Sequence, residues 1–249
     1  MSALWIDLGI IVILIAGIAQ FRVLRAAPAG NLTAAVALLC ALVAVLYRHG
    51  VLDLALVVVV ALLGALIGGW VAARVNMIQI PAMVAFQHGA GGVAAFLVSF
   101  VELTRDAGTP LTRVAEVAAL LGLVVGAATF SGSMIASGKL ANRLRQTPTI
   151  LPRHNWLLWA NVVMIASLGI WAGAADNAGA VLAALLALLA GAIALGIIFA
   201  VRIGGADMPV LISFLNATAG LAAAFCGIAI GNRLLIACGA TVAASPQAM

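Results

Sequence analysis

Charge is what this sequence lacks. Only 8% of its 249 residues are Asp, Glu, Lys or Arg, whereas a soluble domain carries about 25%. So few charges cannot cover a water-facing surface, which excludes a soluble globular fold. Backbone groups that face lipid must then be paired inside a helix or a closed barrel. Alternation is missing too. The apolar runs are continuous for about 20 residues, which selects spanning helices over barrel strands. The 12 Lys and Arg outnumber the 7 Asp and Glu, but they are scattered between apolar runs and form no basic patch for nucleic acid. The three cysteines, Cys40, Cys226 and Cys238, each lie in an apolar run with no C-x-x-C and no nearby histidine. They read as small buried apolar side chains. No basic region precedes the first apolar run, which carries Asp7, so it reads as a first span rather than a cleaved signal. There is no phosphate-binding loop, no H-E-x-x-H and no G-x-G-x-x-G between strand and helix. The chain alone is therefore expected to bind no nucleotide and no metal.

What is present predicts an all-α fold, a polytopic transmembrane helix bundle forming one membrane domain over residues 1–249. Eight full spans are expected at 4–21, 31–47, 51–72, 80–101, 114–136, 156–174, 178–201 and 208–231. A ninth apolar stretch follows Arg233 and ends near Ala244. At 1.5 Å per residue it measures about 18 Å, too short for a hydrocarbon core of about 30 Å. Charge supplies orientation. Arg22, Arg25, Arg74, Lys139, Arg143, Arg145, Arg153 and Arg202 fall in odd-numbered loops, against Arg48, Arg105, Arg113 and Arg233 in even ones. Asp7, Asp53, Glu102, Asp106, Glu116 and Asp176 lie on the even side, and Asp207 on the odd side. The positive-inside rule then places the odd loops in the cytoplasm and the N-terminus outside.

Small residues mark helix faces. Gly64 and Gly68 read as a packing pair. Gly122, Gly126, Thr129, Ser133 and Ser137 share one face of the fifth span, a stripe that is polar as well as small. His88 lies within the fourth span. An ionisable group at membrane depth is costly and usually faces a polar interior or a pathway, and histidine changes charge near physiological pH. A neutral histidine satisfied by a neighbouring helix is the bland alternative. His49 and His154 lie in loops beside arginine and read as ordinary loop residues. Asn216 lies inside the eighth span on a face with Ser213, Gly220, Ala223 and Gly227. It reads as interhelical glue or as part of a hydrated path; Ser133 reads the same way. Arg202 to Pro209 forms a polar hinge in which Gly204 and Gly205 permit unusual backbone angles and Pro209 suits a helix start. It is a bare turn or a place to dock a partner.

Three stretches carry a family resemblance. They are Ala82 to Ala95 around His88, Ala128 to Leu140 around Ser133, and Ile203 to Asn216 through Asp207. In order and spacing they resemble the beta subunit of proton-translocating NAD(P) transhydrogenase. The resemblance implies the membrane domain of an enzyme that moves hydride from NADH to NADP, coupled to inward proton flow across the cell inner membrane. It implies a proton path through His88, Asn216 and Ser133, and coupling at Arg202 and Asp207. NAD and NADP would belong to the complete complex. The implied partners are the transhydrogenase alpha subunit, an NADP-binding domain, further copies of the complex and the lipid bilayer. The family's beta subunit continues through a full ninth span into that soluble domain. Here the sequence stops at Met249, and Pro246 stands where the family places a small glycine, so a truncated or split subunit is expected. Two rival classes remain open on the residues alone, a secondary transporter or channel component and a non-catalytic assembly subunit.

Overall fold

A computed structural model describes residues 2–20, 24–49, 54–105, 111–175 and 177–244. Nine α-helices lie among the described residues, with no strand: α1 (Ser2–Gln20), α2 (Ala27–His49), α3 (Leu54–Arg74), α4 (Ile80–Thr104), α5 (Arg113–Leu140), α6 (His154–Ala174), α7 (Ala178–Val201), α8 (Met208–Ala229) and α9 (Arg233–Ala244). Local chemistry sets several starts. Pro81 and Pro209 sit in the first turns of α4 and α8, where a missing N–H costs nothing. The Thr112 side chain caps α5 by accepting from the Ala115 N–H at 3.2 Å, and Asn177 caps α7 by accepting from the Gly179 N–H at 2.8 Å.

Seven of these helices, α2 to α8, are long and apolar enough to cross a membrane. α1 was expected to be a full span, but its apolar part, Leu4–Gln20, is shorter than the other seven. α9 is 12 residues long. Two boundaries differ from expectation for physical reasons. α2 starts at Ala27 because Pro28 is tolerated in a first turn. α5 runs about one turn further than expected, which places Lys139 on a helix rather than in a loop. Arg22, Asp53, Asp106, Asp176 and Pro246 lie outside the described residues.

The chain divides into two compact units, Met1–Ile78 and Gln79–Met249. In the first, α1 and α2 pack closely: a Cβ on Gly17 would meet the Ala34 nitrogen at 3.0 Å. Asp7 on α1 pairs with Arg48 on α2 at 2.6 Å. No residue of Ala55–Arg74 in α3 is buried, and a Cβ added at Gly64 or Gly68 would meet nothing within 4 Å among the described residues. Among the described residues the expected packing pair therefore meets no partner helix.

In the second unit α5 is the central helix. It packs on α4, α7 and α8, while α8 also contacts α4 and α9, and α6 packs on α7. Glycine makes these approaches possible. A Cβ on Gly92 would lie 2.6 Å from the Gly126 carbonyl oxygen, and one on Gly239 of α9 would lie 2.5 Å from the Ala224 nitrogen of α8. No side chain fits at either crossing. Gly231, at φ 68°, turns the chain from α8 into α9 in a conformation that glycine adopts freely.

The two ends of this unit differ in charge. At one end the loops after α5 and α7 are joined. The Thr149 N–H donates to the Val201 carbonyl at 3.0 Å, and the Gly205 N–H donates to the Gln146 carbonyl at 2.9 Å. The start of α4 lies there too, because the Ser137 hydroxyl donates to the Ala82 carbonyl at 2.9 Å. Lys139, Arg143, Arg145, Arg153 and Arg202 belong to this end. At the other end Arg105 pairs with Glu102 at 2.8 Å and Arg113 with Glu116 at 3.2 Å. Basic residues thus gather at the loops the sequence numbers as odd.

Candidate functional site

α4, α5 and α8 meet around His88. The glycines of the α5 stripe let α4 approach along its length. Gly126 faces Gly92 and Phe96, Gly122 faces Ser99, and Ser133 lies against Gly89, where an added Cβ would come within 3.2 Å of the serine Cβ. Thr129 and Ser133 are buried and Ser137 is half-buried. The polar stripe predicted for the fifth span is therefore turned into the bundle.

His88 is half-buried, and its side chain hydrogen-bonds that of Asn216 on α8. The structure thus brings together two of the residues singled out from sequence, and packs the third, Ser133, against the residue that follows His88. His88 Nδ1 and Ser133 Oγ are both buried with no hydrogen-bond partner among the described residues, as is Thr129 Oγ1. Buried polar atoms are rarely left unpaired. Buried water, which needs two to four polar partners, can pair such atoms; Ser133 lies at the α4 crossing, whereas Thr129 lines a cavity toward α6, α7 and α8.

Arg202 and Asp207 lie elsewhere, at the basic end. Both are exposed. The Arg202 guanidinium donates to Asn155 Oδ1 at 3.0 Å, and the Asp207 side chain makes no capping bond to α8. The two are not part of the His88 cluster. They belong to a joined loop surface that Lys139 holds from below. Lys139 is 3% exposed, and its Nζ donates to the carbonyls of Ala200, Val201 and Ile203 at 3.3, 2.7 and 2.7 Å. These carbonyls lie at and just beyond the C-terminus of α7, where a cation is favoured; those of Ala200 and Val201 also accept from the Ile203 and Thr149 N–H groups. Sequence reading counted Lys139 as a loop charge.

His154 was also read as an ordinary loop residue. It is instead the first residue of α6 and only 4% exposed. The preceding Arg153 adopts a left-handed conformation at φ 55°, so the chain reverses just before the helix and turns His154 inward. Among the cysteines, Cys226 is buried as expected, and its thiol donates to the Ala95 carbonyl at 3.1 Å, whereas Cys40 is exposed and Cys238 half-buried.

Nicotinamide nucleotide does not fit the glycines of the hinge. An added Cβ at Gly204 would meet Pro148 at 2.8 Å, and one at Gly205 would meet Gln146 at 3.1 Å. These glycines make room for the neighbouring loop rather than cradle a pyrophosphate. Among the described residues no group of His, Cys, Asp and Glu could hold a metal ion.

Comparison with known proteins gives concordant matches. A family model described as NAD(P) transhydrogenase beta subunit matches residues 5–249. Two curated relatives are NAD(P) transhydrogenase subunit beta of Rhodospirillum rubrum and the same subunit from its strain ATCC 11170. Each is 35% identical over 222 residues, which covers 87% of this chain and 47% of the relative. The chain thus spans about half the length of the curated relatives it matches.

Proposed function

Because this chain belongs to the NAD(P) transhydrogenase beta subunit family, we propose that it forms the proton path of a transhydrogenase, coupling inward proton flow to hydride transfer from NADH to NADP. The observation that carries this reading is the His88–Asn216 hydrogen bond, set at the α4–α5–α8 junction beside the unpaired Ser133 hydroxyl. His88 is the group that takes up and releases the proton, since its ordinary titration range lies near physiological pH. Asn216 holds the ring and offers either an amide donor or a carbonyl acceptor. Ser133 relays through its rotatable hydroxyl. The proton moves because one charge crossing about 100 mV of membrane potential yields about 2.3 kcal/mol. Coupling requires only that His88 be reachable from one side at a time, with access set by a two-state change in a docked partner.

In this proposal the basic end faces the cytoplasm of a cell whose inner membrane holds the protein. Arg202 and Asp207 present the surface on which an NADP-binding domain docks, and the alpha subunit completes the complex. Nucleotides are bound by those partners. The test is His88→Phe in a complex supplied with the NADP-binding domain and alpha subunit, assayed for proton uptake into vesicles during hydride transfer. Pumping is expected to be lost while insertion and assembly persist, and Asn216→Leu is expected to give a similar, weaker defect. Pumping at the unmodified rate in His88→Phe would remove His88 from the path.

A further inference from the structure

His154 is a buried side chain that the proton path does not use. Both ring nitrogens are buried without a hydrogen-bond partner among the described residues. Leaving them so costs free energy unless something else meets them. The ring lines a cavity of about 400 Å³ at the basic end, whose other polar residues are Arg202 and Asp207 and whose walls include Leu158, Phe199 and Phe214. A second cavity of about 230 Å³ between α5, α6, α7 and α8 shares those same three walls, Leu158, Phe199 and Phe214. Apart from Thr129 and Thr218, its lining residues are apolar or glycine. The rings of Phe199 and Phe214 stand 5.0 Å apart at the border of the two. A polar chamber at a helix end thus adjoins an apolar one deeper in the bundle, with both charge signs in the polar chamber.

We propose that this pair of cavities is a phospholipid site for an amine-bearing headgroup. The phosphodiester lies between Arg202 and His154, which donate to its oxygens. The primary ammonium lies at Asp207, whose carboxylate is not spent on capping α8. One acyl chain runs past Leu158 and over the paired rings of Phe199 and Phe214. Basic pockets between helices at a membrane face are known to hold anionic headgroups. The carboxylate at Asp207 is what turns the preference here from an anionic to a zwitterionic lipid. The site stands apart from the His88 path and shares Arg202 and Asp207 with the docking surface proposed above; lipid binding itself needs neither nucleotide nor a partner subunit.

The test uses the full chain in mild detergent, read by native mass spectrometry while phosphatidylethanolamine, phosphatidylglycerol or inorganic phosphate is titrated in. One phosphatidylethanolamine per chain is expected, retained about tenfold over phosphatidylglycerol, as charge-assisted hydrogen bonds provide. His154→Ala should lower retention, and Leu158→Trp should lower it by filling the shared wall. Asp207→Asn, at an exposed position that does not threaten folding, should abolish the preference between the two lipids. Equal retention of both lipids by the unmodified chain would overturn the proposal, as would retention unmoved by His154→Ala and Leu158→Trp. Displacement of the lipid by inorganic phosphate would overturn it in favour of a simple anion site.

Discussion

Lys139 shows how a single side chain can hold two loops together. Its ammonium meets three carbonyls at the end of α7, and the Lys139 carbonyl in turn accepts from Gln146 Nε2 at 3.4 Å. The loop after α5 is thereby bound to the loop that carries Arg202 and Asp207. Hydrogen bonds from a charged donor contribute about 1.5–3 kcal/mol each, although the Ala200 and Val201 carbonyls keep a backbone N–H partner when the lysine is removed. Lys139→Met should therefore lower stability by about 3 kcal/mol, measured as a drop in the thermal midpoint of the purified chain. Lys139→Arg should recover part of that loss, because the guanidinium keeps the charge but fits a compact three-carbonyl pocket poorly. A midpoint unchanged in Lys139→Met would mean that the clamp contributes nothing. The sequence showed only a basic residue between two apolar runs. Its burial depends on where α7 ends in space, which no spacing along α5 reports.

Elements were far more legible than individual roles. Continuous apolar runs and punctuating prolines located α4 and α8 to within a few residues, and the polar stripe on α5 was recognisable from its spacing. What the stripe faces was not legible, because any of several helices could have met it. The structure resolves this at Gly92 and Gly126, where backbone touches backbone. Glycine pairs of equal appearance in sequence therefore differ in consequence. Gly92→Ala places a methyl within 2.6 Å of the Gly126 oxygen and 2.8 Å of the Phe130 nitrogen. Neither backbone atom can rotate away, so α4 must shift, at a cost of about 1–3 kcal/mol. His88 lies about one turn from that crossing, and its bond to Asn216 on α8 depends on where α4 sits. Gly92→Ala should lower both the thermal midpoint of the chain and proton flux in the completed complex. Gly64→Ala, with nothing within 4 Å, should leave the midpoint of the isolated chain unaltered or slightly raised, since alanine is the better helix former. Equal losses in the two variants would deny the crossing its role.

At the scale of the whole molecule, the feature that decides direction is the unequal charge of the two ends. The sequence assigned loops to sides by counting basic residues, and the second unit now joins those loops physically. The Gly205 N–H reaches the Gln146 carbonyl, so residue 146 lies at the C-terminal end of α7. Asn177 caps the opposite end of the same helix. α7 has 24 residues, about 36 Å at 1.5 Å per residue, which exceeds a hydrocarbon core of about 30 Å. Gln146 and Asn177 should therefore lie on opposite sides of the membrane, with Gln146 in the cytoplasm because the basic loops are retained there. The measurement is labelling by an impermeant maleimide in intact cells and in inverted vesicles. It begins from a chain in which Cys40, Cys226 and Cys238 are replaced, since Cys40 is exposed and would react. A cysteine at Asn177 should label in intact cells, and a cysteine at Gln146 only in inverted vesicles. The reverse pattern would turn the molecule over. Protons drawn inward through His88 would then enter from the basic end, and the docking surface at Asp207 would face away from the nucleotides of the cell. Labelling of both positions from one side would mean that α7 does not cross the bilayer, which its length and composition oppose.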